Sequence, residues 1–80
     1  MNIIICDDHK IVRDGLRQIL LNISSNENIS EAADGEELIK KLKLKNFDIV
    51  LLDISLPNKN GLEILQQLIK DFPSVKVLML

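Results

Sequence analysis

Phe47-Asp48-Ile49-Val50-Leu51-Leu52-Asp53, at 47–53, is an apolar run without helical spacing that ends on an aspartate. Two further runs, 3–6 (Ile-Ile-Ile-Cys) and 75–80, share its character, and the first of them also ends directly in acid, at Asp7 and Asp8. Such runs read as strands buried on both faces, the mark of a parallel sheet under helices. A weaker alternating segment at 28–33 reads as a strand at a sheet edge. Between the runs, Ile11, Val12, Leu16, Ile19 and Leu20 recur at helical spacing, as do Leu38, Ile39 and Leu42, and again Leu62, Leu65, Leu68 and Ile69. Three amphipathic helices are predicted, giving the order β-α-β-α-β-α-β. Right-handed crossovers then make a doubly wound parallel α/β sheet the natural architecture, with its binding site at the carboxyl ends of the strands.

Local signals agree with this order. Asp34 with Glu37, and Asn60 with Glu63, match the capping-box pattern that opens helices. Lys40, Lys41, Lys43 and Lys45 gather at the end of the second helix, where the macrodipole favours positive charge, and read as a solvated helix end. Gly15 interrupts the first helix, which points to close packing on the sheet. Pro57 and Pro73 fall in connections, where a missing amide donor does little harm.

Composition narrows the class. The chain has 80 residues, 46% of them apolar, and a formal charge of −2, which describes one compact unit without a nucleic-acid footprint of its own. Cys6 is the sole cysteine and lies inside an apolar run, so no disulfide framework is expected and the residue reads as a small core side chain. No apolar run approaches membrane-spanning length, and the first residues do not form a signal peptide; a cytoplasmic protein away from the membrane is expected.

A sheet in which the first and third strands are neighbours brings Asp7, Asp8 and Asp53 together, with no basic partner among the strand-end residues. Like charges in one cleft are unfavourable unless a cation offsets them, and an oxygen-only ligand set suits a hard ion, magnesium best of all. A carboxylate beside such an ion is equipped to attack phosphorus. Asp53, alone at its strand end, is the better nucleophile, and the adjacent pair is better placed to hold metal. Taken singly, each acid has a plainer reading: Asp8 as the first helix's N-cap, Asp7 as a solvated loop residue, Asp53 as a turn former.

Ile-Ile-Ile-Cys-Asp-Asp-His at 3–9, Val-Arg-Asp-Gly-Leu at 12–16, Glu-Ala-Ala-Asp-Gly-Glu-Glu at 31–37 and Asp-Ile-Ser-Leu-Pro-Asn-Lys-Asn-Gly-Leu-Glu at 53–63 together resemble the response regulator receiver domains, over the whole chain. The start is similar to regulators of the NarL/LuxR type. The resemblance implies a flavodoxin-like receiver fold with strand order 2-1-3-4 over residues 1–80, Asp53 as the phosphoacceptor, and Mg2+ held by Asp8 directly, by Asp7 through water, by Asp53 and by the Ser55 backbone carbonyl. It implies a sensor histidine kinase as phosphoryl donor, and DNA contact only through an output domain outside these residues. The receiver would catalyse nothing but its own phosphorylation and dephosphorylation. His9, beside the acids, reads as a helix-start residue, since the family's donor histidine belongs to the kinase.

The resemblance also implies a fifth strand and two further helices, with a hydroxyl residue after strand four and a lysine after strand five, all beyond Leu80. A receiver ending there is expected to leave strand four as an exposed edge and to self-associate, and an interaction-only fragment that takes no phosphoryl group stays open. A phosphohydrolase of the haloacid dehalogenase type also places an aspartate after a parallel strand. It needs a second aspartate two positions on, where this chain has Ser55.

Overall fold

The computed structural model describes residues 1–24, 27–56 and 61–80. Strands β1 (Asn2–Cys6), β2 (Asn28–Ala32), β3 (Ile49–Leu52) and β4 (Lys76–Met79) alternate with helices α1 (Lys10–Ile23), α2 (Gly35–Leu44) and α3 (Gly61–Asp71). The strands form one sheet in the order β2-β1-β3-β4, and every pairing is parallel. The expected doubly wound topology is therefore the one observed.

Alternation along the central strands divides the core between two faces. Ile4, Cys6, Val50 and Leu52 meet Leu38 and Leu42 of α2 and Ile64 and Leu68 of α3 on one side. Ile3, Ile5 and Leu51 meet Leu16 and Leu20 of α1 on the other. Ile4, Ile5, Leu38, Leu52, Ile64 and Leu68 are fully buried, each contributing about 1.5–3 kcal/mol of transfer free energy.

The second helix begins as the sequence implies: the Asp34 side chain accepts from the Glu37 amide at 2.8 Å, and Glu37 in turn accepts from the Ala33 amide at 3.3 Å. Asn60, the other proposed cap, and Pro57 lie outside the described residues.

Four expectations need correction. The strand at 75–80 is not buried on both faces: Val77 and Met79 pack on the core, but Leu78 and Leu80 are 55% and 52% exposed, because no described helix covers that side of β4. Periodicity also overstates the buried stripes of two helices. Ile11, Val12 and Ile19 of α1 and Leu62 and Ile69 of α3 are exposed, and the deepest residues of α3 include Ile64, which the predicted stripe omitted. Among the described residues nothing lies within 4 Å of where a Gly15 side chain would stand, so close packing against them does not account for that glycine. Finally, Lys41 is more than a solvated helix end, since its ammonium donates to the Glu31 backbone carbonyl and ties α2 to β2.

Candidate functional site

The carboxyl ends of β1 and β3 lie side by side because Cys6 pairs with Leu52 in the parallel register. One residue further on, the Asp53 amide donates to the Cys6 carbonyl at 2.9 Å, and the Asp7 amide donates to the Ala32 carbonyl at 3.1 Å. The ladder thus carries both aspartates to the same rim of the sheet, and Asp8 follows as the chain turns into α1.

Asp7, Asp8, His9 and Asp53 each offer a ligand atom there, all within 4.8 Å of one another. The sequence-derived convergence of three acids is present in the structure. Asp7 is not a solvated loop residue: it is only 4% exposed, and its Oδ1 accepts from the His9 amide at 2.8 Å. Nor is Asp8 the N-cap of α1, a position held by His9 without any side-chain cap bond. Asp53 is half-buried, and its Oδ1 accepts from the Ser55 amide at 3.0 Å and the Ser55 hydroxyl at 3.1 Å.

His9, expected only as a helix-start residue, also reaches the acids. The His9 ring places Nδ1 3.0 Å from Asp7 Oδ1 and 2.9 Å from Asp8 Oδ1. The hydrogen bond to Asp7, with the negative charge of Asp8 and Asp53 nearby, holds the imidazole above its usual range. Sequence alone gave no sign of this, because the ring turns back over the helix start by side-chain rotation. Cys6, next along the chain, is fully buried, and burial with the surrounding acids pushes its thiol up to about 12, so it acts as a core residue.

A second set of contacts escaped the sequence reading. Arg13 donates from Nη1 to the Asp7 carbonyl at 2.7 Å and from Nε to Glu31 Oε1 at 2.9 Å. Arg17 binds the other Glu31 oxygen through Nε at 3.0 Å. Burial raises the Glu31 carboxyl, but the bonds from the two arginines outweigh it and leave the group below its usual value. Both Arg13 and Glu31 stand in motifs singled out above; what the motifs do not carry is that the two residues meet across the α1–β2 gap.

Whether the donors fit a magnesium ion is a question of chemistry and size. Three carboxylates supply hard oxygen ligands, and ligand atoms within 4.8 Å compare with about 4.2 Å across an octahedral ion whose bonds are near 2.1 Å, so the residues fit after a small contraction. With the ion bound, its charge would offset that of the transferring phosphoryl oxygens.

Residues 3–80 match the family model described as the response regulator receiver domain. The transcriptional regulatory protein DegU of Brevibacillus brevis is 38% identical over all 80 residues, which span 34% of its length. Among solved structures, TrrA of Thermotoga maritima in complex with Mg2+-BeF superposes with a TM-score of 0.89 at 32% identity, covering 98% of this chain and 66% of that one. RcsB of Salmonella enterica serovar Typhimurium, bound to promoter rprA in the presence of phosphomimetic BeF3-, gives 0.88 at 30% identity, covering 99% and 41%. The chain therefore spans about a third of the curated relative's length and under two thirds of the RcsB chain. DegU and RcsB are NarL/LuxR-family regulators, and the chain belongs to the response regulator receiver domain family.

Proposed function

We propose that residues 1–80 form a phosphoacceptor unit in which Asp53 takes a phosphoryl group from the phosphohistidine of a sensor histidine kinase. The observation that carries this reading is the placement of Asp53 beside Asp7 and Asp8, with their ligand atoms within 4.8 Å. Among the described residues Asp53 Oδ1 is engaged by Ser55, while no hydrogen bond is made to Oδ2, which makes Oδ2 the attacking atom. As the Oδ2–P bond forms, the P–N bond to the donor imidazole breaks and its electron pair stays on that ring. Asp8, Asp7, Asp53 and the Ser55 carbonyl are the proposed Mg2+ ligands. The bonds that the His9 amide donates to Asp7 Oδ1 and Ser55 donates to Asp53 Oδ1 orient two of these carboxylates before the ion arrives, which lowers the ordering cost of binding. Joined to an output domain, as in its longer relatives, the modified domain would control DNA binding, in the cytoplasm. No described helix is long and apolar enough to cross a membrane.

Magnesium titration tests the site. Amide shifts of residues 6–9 and 53–56 are expected to move saturably, and the rest of the sheet to move little. Shifts unchanged at high magnesium would remove the metal site from the account.

The open side of β4 has its own expected consequence. Among the described residues the strand pairs with β3 alone, and Leu78 and Leu80 stand exposed on it. Exposed apolar edges of this kind recruit other chains. As an isolated 80-residue polypeptide the protein is expected to self-associate through β4, so that its weight-average mass in sedimentation rises with concentration. A monomer at every concentration would show that this edge is protected.

A further inference from the structure

We infer that Arg13 is a positioning residue for the acid pair, holding the peptide between Asp7 and Asp8 in the orientation that presents both carboxylates to a cation. The inference rests on the metal site proposed above and names what sets its geometry. The carbonyl that Arg13 grips, at 2.7 Å, belongs to that very peptide. Turning this plane moves the Asp8 Cα relative to the sheet, and with it the direction of the Asp8 side chain. The other groups around Asp7 are fixed by different partners: its amide by Ala32 and its Oδ1 by the His9 amide. Arg13 therefore closes the last free backbone contact of the residue.

The arginine can do this because it is itself held. Its side chain is 15% exposed, and Glu31 binds its Nε at 2.9 Å. Glu31 is anchored in turn by Arg17, whose Nη2 also donates to the Ile29 carbonyl at 3.0 Å. A planar guanidinium reaches Glu31 and the Asp7 carbonyl from two nitrogens at once, a geometry that an ammonium does not offer.

Charge and position make opposite predictions, which gives the inference a clear test. Removing a positive group near a cation site tightens cation binding if electrostatics alone operates. Removing a group that orients metal ligands weakens binding, by about tenfold. Arg17 serves as the control. It carries the same charge, lies on the same helix and binds the same Glu31, but makes no contact with Asp7 among the described residues.

The experiment is a magnesium titration of the 80-residue chain and its Arg13→Met, Arg13→Lys and Arg17→Met variants, followed by the amide shifts of Asp7, Asp8 and Asp53, with thermal melts of each protein alongside. Arg13→Met is expected to bind magnesium about tenfold more weakly, Arg13→Lys to recover part of that loss, and Arg17→Met to stay within about twofold of the parent chain. Unchanged or tighter binding in Arg13→Met overturns the inference, as does an equal loss in Arg17→Met, which would reduce the network to a clamp between α1 and β2. Should Arg13→Met melt below the assay temperature, the lysine variant decides: parent-like affinity there overturns the inference. A parent chain that does not respond to magnesium overturns the metal site and this inference together, whereas a responsive parent with an indifferent Arg13 overturns this inference alone.

Discussion

Asp53→Asn is expected to abolish phosphoryl uptake from a small acyl phosphate, with no loss of fold stability. The amide keeps an oxygen where Ser55 donates its amide and hydroxyl, at 3.0 and 3.1 Å, so the turn after β3 is preserved. What it removes is the anionic nucleophile, since a carboxamide does not form the mixed anhydride with phosphate. The substitution also takes away one of three like charges lying within 4.8 Å of one another. Relief of that repulsion is expected to leave the melting temperature equal or higher, by an amount on the order of 1 kcal/mol. Intact-mass measurement of these residues joined to the remainder of a receiver domain gives the uptake, and a thermal melt gives the stability. Label persisting on the asparagine variant would place the acceptor elsewhere.

The second large effect is expected at Gly61, the first residue of α3. A Cβ there would stand 2.5 Å from the Ile54 Cα and 2.9 Å from the Asp53 and Ile54 carbonyl oxygens. These are backbone atoms directly after the acceptor strand, and they have no rotamer through which to yield. The Gly61 amide also donates to the Ile54 carbonyl at 2.8 Å, so the helix start is locked against this loop. Gly61→Ala must push α3 outward, loosening Ile64 and Leu68 in the core. A cost of about 3 kcal/mol is expected, at the upper end of overpacking effects and a large share of a small domain's stability.

Gly35 provides the comparison. Among the described residues its added Cβ would meet the Ile64 side chain alone, at 2.5 and 3.2 Å, and a turn of that side chain together with the helix preference for alanine holds the net change within about 1 kcal/mol. Denaturant melts of both variants check the contrast. Equal costs would mean that the approach of α3 to the acceptor loop is not rigid.

The strands were legible in their apolar runs, whereas the order 2-1-3-4, and with it the meeting of the acids, was what the resemblance to the receiver domains implied. Apolar runs ending in aspartate mark strand ends, and neighbouring parallel strands bring their carboxyl ends to one rim. The helices were legible as elements but not as surfaces. The spacing of Ile11, Ile19, Leu62 and Ile69 fits a buried stripe, yet each is exposed, because periodicity reports which residues share a helix face and not whether anything packs against it. The edge position of β4 was expected from the strand order that the resemblance implies, and its composition does not show it. Lys76-Val77-Leu78-Met79 is as apolar in its inner positions as a central strand; the sheet order leaves one of its edges without a described partner, and no described helix covers the face that bears Leu78.

Side-chain reach was the least legible part of the site. His9 and Arg13 act on Asp7 through rotamers that carry them back across the start of α1, to 3.0 Å from a carboxylate oxygen and 2.7 Å from a carbonyl. Neither contact has a fixed spacing that a sequence pattern would display. Glu31 illustrates the same point from the other side, since its pairing with Arg13 and Arg17 depends on α1 lying beside β2.

The central claim is that Asp53 itself forms the bond to phosphorus, and chemical mapping of that bond tests it most directly. Borohydride reduces an aspartyl phosphate to homoserine, so these residues, joined to the remainder of a receiver domain, treated with a small acyl phosphate and magnesium, then reduced and digested, report the modified residue by peptide mass. The account predicts homoserine at position 53 and unmodified Asp7, Asp8, His9 and Ser55. Homoserine at another aspartate, or a stable phosphoryl group on Ser55 or His9 with Asp53 untouched, would contradict it.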